Sequence, residues 1–224
     1  VDPGGIVVTS GATEALAASL LALVRPGDEV ILVQPLYDAY LPLVEWAGGT
    51  ARMISLQPPH WSLPLDALAA AIGPQTRGIV LNTPNNPTGT MLTRAELEGV
   101  GALAEAKDLW VVCDEVWEGM VLGGENHLSA LAIPALAQRT VKIGSAGKIF
   151  SMTGWKVGWA VAAPPLAAAV AGRHQFLTFT TATPLQWAVA EALALPSEWH
   201  AAHRARYALA KERLVEGLTR AGIV

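Results

Sequence analysis

The 224-residue chain carries a single cysteine, Cys113, which excludes an internal disulfide and a cysteine-based metal site. A reducing, cytoplasmic setting fits that usage. Charge is sparse as well: charged residues make up 15 % of the chain and hydrophobic ones 52 %, where ordinary soluble domains carry about 25 % charge. The imbalance fits a chain whose surface is partly covered by something else. With a net charge of −4 there is no basic excess for a nucleic acid partner. No apolar run approaches the roughly 20 residues of a membrane-spanning helix; the longest, 160–171, is short and carries prolines. A charged start followed by an apolar segment and a cleavage site is also missing, so no secretory signal is visible. The chain opens on Val1, not methionine, which reads as a fragment of something longer. The five histidines are scattered, and only His200 and His203 share a helical face. Without a nearby acid they read as a solvated helix surface and not as a zinc site, so no metal is expected.

What is present alternates. Segments 6–9, 30–33, 51–55, 78–81, 110–113 and 141–143 are short, mostly apolar and β-rich, as strands buried on both faces are. Between them, 14–24, 37–47, 65–72 and 94–107 have helical length and pattern. The order predicts an α/β fold, a mainly parallel sheet flanked by helices in three αβα layers. Thr93 with Glu96 forms a capping box, and Arg25-Pro26-Gly27-Asp28 closes the first helix with a turn. After Ala163 the pattern is helical only, over 164–178, 184–195 and 198–221. Without repeats or low-complexity linkers, 1–224 reads as one domain.

In such sheets ligands bind in the loops at the carboxyl ends of the strands. Four polar clusters should therefore gather at one edge. Gly11, Ala12 and Thr13 stand where a strand turns into a helix and can offer backbone N–H groups to a phosphate, although an ordinary turn with a threonine cap reads as well. The loop Asn82-Thr83-Pro84-Asn85-Asn86-Pro87-Thr88-Gly89 is rigid and irregular; a turn explains its prolines and glycine but does not demand Asn86. Asp114 ends a central strand, where a lone carboxylate is costly to bury. Its partner is either a cationic cofactor ring nitrogen or a buried Lys or Arg. Lys148 follows Gly147, but a P-loop is excluded because Lys142 and Ile149 stand where that motif needs glycine and Ser or Thr. A lysine able to form a Schiff base, a buried acid and a phosphate cradle are the parts list for pyridoxal 5′-phosphate (PLP).

Five ordered motifs carry a resemblance. They are Thr9-Ser10-Gly11-Ala12-Thr13-Glu14-Ala15, Pro35-Leu36-Tyr37-Asp38-Ala39-Tyr40, Asn85-Asn86-Pro87-Thr88-Gly89, Asp114-Glu115-Val116, and Ser145-Ala146-Gly147-Lys148 with Lys156-Val157-Gly158-Trp159. Together they resemble the fold-type I, class I/II PLP-dependent aminotransferases, over about 6–192. Within that family, 143–159 and 174–179 are most similar to the kynurenine/glutamine, methionine and N-succinyldiaminopimelate aminotransferases. The resemblance implies that Lys148 holds PLP as a Schiff base and moves the substrate proton. Asp114 would pair with the ring nitrogen, Asn86 with the phenolic oxygen, and Tyr37 would stack on the ring. Gly11, Ala12, Ser145 and Lys156 would bind the phosphate, supported around Thr13.

Two departures follow. The family usually has tyrosine three positions after the buried aspartate; here it is Trp117, whose indole N–H can donate but neither ionise nor accept. Lys156 stands where many relatives have arginine and gives a point charge in place of a fork. The family's carboxylate-clamping arginine and its amino-terminal segment lie outside this sequence, so the chain reads as a PLP-binding large domain, 1–224, of a longer enzyme. The implied activity moves an amino group from an amino acid to a 2-oxo acid, with a cysteine-conjugate β-lyase or an inactive PLP-binding fragment as alternatives. The implied assembly is a homodimer. The eight tryptophans read as packing and interface residues.

Overall fold

The central β-rich runs extend because their consecutive residues can bury on opposite sides of a sheet, and the computed structural model, which describes residues 2–223, shows this alternation directly. The strands are β1 (Ile6–Thr9), β2 (Glu29–Gln34), β3 (Thr50–Ser55), β4 (Thr76–Asn82), β5 (Trp110–Asp114), β6 (Thr140–Ser145) and β7 (Gly158–Val161). The helices are α1 (Ala12–Leu23), α2 (Tyr40–Trp46), α3 (Leu65–Ala71), α4 (Arg94–Ala106), α5 (Pro134–Ala137), α6 (Ala146–Ile149), α7 (Pro164–Leu177), α8 (Thr183–Leu193) and α9 (Ser197–Arg220). One sheet holds all seven strands in the order β1-β7-β6-β5-β4-β2-β3. Strands β2 to β6 pair in parallel.

Val30, Leu32, Val80, Val112, Val141 and Ile143 enter the core shared with α1, α2 and α7. Their neighbours Ile31, Ile79, Leu81, Val111 and Cys113 enter the other, shared with α3, α4 and α5. Strands buried on both faces must be apolar at every position, which is why these segments read as continuous runs. Helix α1 is buried from Ala15 to Leu20, as expected of a helix without a polar stripe. Helix α4 starts where its capping box predicts: Thr93 Oγ1 accepts the Glu96 N–H and Glu96 accepts the Thr93 N–H.

Three expectations need correcting. Strand β7 was not expected; it lies antiparallel between β1 and β6, and its four residues were hidden between the lysine segment and an alanine-rich run. Helix α2 begins at Tyr40 and not at 37; residues 37–39 form a turn, which leaves Tyr37 free of helical constraint. His200 and His203 lie on the helix surface but are less solvated than expected: both are partly covered beside Trp199, which stacks on His203 at 4.9 Å. Ser151 Oγ bridges His203 and the Tyr207 hydroxyl. Burial first, then the charges of Arg206 and His200, holds the His203 imidazole below its ordinary value. Farther along, α9 has no buried residue, and Leu214 is 62 % exposed.

Ile79 is fully buried, so Ile79→Ala should lower unfolding free energy by about 2–5 kcal/mol. Leu214→Ala should change it by less than about 0.5 kcal/mol. Urea denaturation monitored by circular dichroism checks both.

Candidate active site

Strand β7 reverses direction twice over, so β1 runs the same way as β6 and the carboxyl ends of β1, β4, β5 and β6 open on one edge. There they surround a cavity of about 160 Å³. All ten residues singled out from the sequence line it: Gly11, Ala12 and Thr13 after β1, Tyr37 after β2, Asn86 after β4, Asp114 and Trp117 at and beyond β5, and Ser145 at the end of β6 with Lys148 and Lys156 beyond it.

Asp114, at 3 % exposure, is the buried acid of this cavity. Its Oδ2 accepts the Tyr40 hydroxyl at 2.8 Å and its Oδ1 the Val116 N–H at 3.2 Å. Burial pushes its carboxyl above the ordinary carboxylate value; the Tyr40 and Val116 hydrogen bonds pull it down, Glu115 adds to the rise and Lys148 opposes it, with the net shift upward. The same contact, after burial, holds the Tyr40 hydroxyl well above the usual phenol range. Sequence reading left Tyr40 without a role; the only signal was its place three residues after Tyr37 in the same motif. Beside it, Asn82 Nδ2 donates to the Asp114 carbonyl at 2.9 Å while Asn82 Oδ1 accepts the Asn86 N–H at 2.6 Å. Asn82 thus ties the Asn86 loop to the end of β5.

Gly11 caps α1 with φ of 84°, a left-handed conformation that suits glycine. Its own N–H donates to the Thr9 carbonyl at 2.8 Å, so the orphan donors here are those of Ala12 and Thr13, the first residues of α1. The Ser10 N–H goes to Glu14, whose carboxylate also pairs with His174 Nδ1 at 3.0 Å; Glu14 therefore braces the turn. Gly158 was missed from the sequence: a Cβ there would lie 2.6 Å from the Ala12 nitrogen. Only glycine lets β7 pass this close beneath the turn.

Lys148 lies in α6, in a loop that Thr153 fixes by donating to the Gly147 carbonyl at 3.1 Å. Its Nζ stands 4.8 Å from the centre of the Trp117 ring. Lys156 follows in a left-handed conformation, its stem packed beside Gly11.

The buried salt bridge considered for Asp114 belongs instead to the next residue. Glu115, fully buried, accepts from His127 Nε2 at 3.0 Å, Ser129 Oγ at 3.1 Å and the Ala130 N–H at 2.8 Å. Lys142 Nζ lies 3.5 Å from it and also bonds Glu118. Burial alone would raise the Glu115 carboxyl, but the His127 bond, the Lys142 charge and the Ala130 N–H outweigh it and hold it below the ordinary value. Glu115, Glu118 and His127 bring ligand-type atoms within 4.8 Å of one another, yet Lys142 already supplies the cation among them.

The family model for aminotransferase class I and II matches residues 1–224. The chain is 42 % identical over 219 residues to the probable N-succinyldiaminopimelate aminotransferase of Mycobacterium tuberculosis, covering 97 % of this chain and 55 % of that protein. It is 41 % identical over 213 residues to the methionine aminotransferase of Escherichia coli, covering 95 % and 55 %. The solved N-succinyldiaminopimelate aminotransferase from Mycobacterium tuberculosis superposes with a TM-score of 0.93 at 42 % identity, over 96 % of this chain and 57 % of that one. The chain thus spans about half the length of the curated relatives it matches.

Two outcomes test the site. Tyr40→Phe removes a donor that favours the ionised Asp114, so the Asp114 titration followed by carboxyl NMR should move to higher pH. Glu115 has a folded value below its unfolded one, so its stabilisation is fully present above the ordinary carboxylate value and is lost as pH falls through the depressed folded value. Glu115→Gln should therefore cost about 3 kcal/mol at neutral pH and progressively less in acid, as measured by urea denaturation across pH.

Proposed function

This chain belongs to the class I and II aminotransferase family, and from that premise we propose that it supplies the cofactor-binding half of an enzyme that moves an amino group from an amino acid to a 2-oxo acid. The observation that carries this reading is Asp114: a buried carboxylate held by two neutral donors, with no ion pair within 4 Å among the described residues, facing a cavity that also receives Lys148. A carboxylate so placed is suited to a cationic ligand atom.

Enzymes of this family use PLP, and the donor set fits it. Asp114 would face the ring nitrogen, and Tyr40 would keep that carboxylate aimed. Asn86 and Trp117 would flank the phenolic oxygen, and Tyr37 would cover a ring face. The Ala12 and Thr13 N–H groups at the start of α1, with Ser145 and Lys156, would hold the phosphate against a turn that Gly158 leaves room for. Lys148 would anchor the group through its amine. When bound, PLP supplies an electron sink for the pair released at the substrate α-carbon. Lys148 Nζ, once free, would take the α-proton and return it on the opposite side of the exchange. The apolar walls from Val116, Val157 and Leu16 would limit water at that amine.

Amino acid and 2-oxo acid substrates are supported by the names of the relatives, all aminotransferases or transaminases. A homodimer is supported by unpartnered apolar side chains such as Phe176 and Trp187, 84 % and 69 % exposed. No helix among the described residues is long and apolar enough to cross a membrane; a cytoplasmic setting joins the proposal through the buried free thiol of Cys113. Residues 1–224 as the large domain of a longer enzyme are likewise part of it, with Val1 and Val224 outside the described residues.

Adding PLP to the purified chain should produce a visible absorption band that borohydride fixes covalently to Lys148, located by peptide mapping and absent in Lys148→Ala. A folded chain that gains no such adduct overturns the reading. With the complete enzyme, an amino acid given without a 2-oxo acid should stop after one equivalent; continued release of pyruvate and ammonia would mark a β-lyase instead.

A further inference from the structure

The turn that would receive a phosphate is held from outside the cavity. Ala12 and Thr13 present the orphan N–H groups of α1, while Glu14 and His174 are not among the residues that line the cavity. These two lie 160 residues apart and meet directly behind the turn. Glu14 Oε2 accepts the Ser10 N–H at 2.9 Å, and Glu14 Oε1 lies 3.0 Å from His174 Nδ1. A carboxylate only accepts, so Nδ1 carries the hydrogen of that bond. Both side chains are largely buried. His174 belongs to α7, whose Ala167 and Val170 share a core with Ala15 and Ala18 of α1. A second tie runs beside the first: Ser10 Oγ lies 3.2 Å from Oγ1 of the buried Thr181.

An acid next to an anion site is unexpected on charge alone, since a carboxylate repels phosphate. We propose that Glu14 and His174 are positioning residues that aim the Ala12 and Thr13 N–H groups at the anion, and that the gain in geometry exceeds the repulsion. Two of the donors in this turn are already engaged, Ser10 with Glu14 and Gly11 with the Thr9 carbonyl. Each peptide unit is planar, so fixing those two sets the direction in which the next two N–H groups point. His174 holds the Glu14 carboxylate from the far side, and α7 holds His174. The inference rests on the reading of this turn as the phosphate end of the site, and adds what keeps it in shape.

The test separates the phosphate from the rest of the cofactor. Pyridoxal carries the same aldehyde and ring as PLP and lacks only the phosphate, so the ratio of the two affinities, each titrated through the visible absorption band of the purified chain, isolates the turn. Glu14→Ala should weaken PLP about tenfold, the worth of one charge-assisted hydrogen bond, and leave pyridoxal unchanged. Glu14→Gln keeps an acceptor for the Ser10 N–H and removes the repelling charge, so it should bind PLP as the unsubstituted chain does or more tightly. Charge alone gives the opposite sign for Glu14→Ala, because deleting a negative group beside an anion tightens binding.

Unchanged or tighter PLP binding in Glu14→Ala overturns the proposal. So does equal weakening of PLP and pyridoxal, which marks a general loss of the pocket, and so does a Glu14→Gln chain as weak as Glu14→Ala. If Glu14→Ala loses its native circular dichroism, His174→Ala decides on the same ratio, selective weakening of PLP supporting the proposal and any other result overturning it. If neither aldehyde gives a band, the reading of Lys148 fails, and inorganic phosphate followed through the Ala12 and Thr13 amide resonances decides the present one. Weaker phosphate binding in Glu14→Ala then supports it, and unchanged, tighter or absent binding overturns it.

Discussion

A carboxylate at 3 % exposure with no salt bridge among the described residues is the constraint on which this architecture turns. Such a group is expensive to bury, and the chain meets the cost with donors brought from far apart in sequence. Tyr40 lies 74 residues before Asp114 and reaches it only because α2 packs on the same face of the sheet as α1. The Val116 N–H comes from the turn that must follow a strand end. These contacts lessen the cost without removing it, since the carboxyl still sits above its ordinary range. The residual cost is what makes the site receptive to positive charge.

Strand alternation sets the second half of the design. Asp114 and Glu115 are adjacent, yet the pleat sends one to the cavity and the other to the far side of the sheet. Glu115 there is fully satisfied, tying the end of β5 to His127, Ser129 and Lys142 on β6. One acid is left wanting a cation and its neighbour is saturated. The saturated one holds the segment from which the other projects, so rigidity on one face fixes the position of the acid on the other.

Much of this was legible in the sequence because the chemistry is local. Strands buried on both faces announce themselves as apolar runs, and the loops after them hold the polar residues, so Lys148, Asp114, Asn86 and the Gly11 turn could be placed at one edge before any coordinates. Tyr40 was not legible, since its role depends on a contact across two elements and a tyrosine in a helix of core residues looks like packing. Strand β7 was hidden by its brevity: Gly158-Trp159-Ala160-Val161 carries one β-branched residue and no alternation. Gly158 was invisible with it, because the need for glycine arises only where β7 runs beneath the Gly11–Ala12 turn. The helical histidines read as more solvated than they are for a related reason: nothing in their spacing reveals that Trp199 packs against both and Phe150 against His200.

The placement of β7 between β1 and β6 has a temporal consequence. Residues 6–9 are made about 150 residues before the partner they pair with, 158–161. At synthesis rates of roughly 5–20 residues per second that is a wait of roughly 8 to 30 s. Throughout it the first strand has no neighbour, and the turn at Gly11 has no floor. The β2–β5 portion can assemble during that interval, yet the corner at Gly11 stays incomplete until β7 is made. A chain stopped short of Val161 would hold its lysine and its buried acid on paired strands but lack the strand that sets the Gly11 turn beside them.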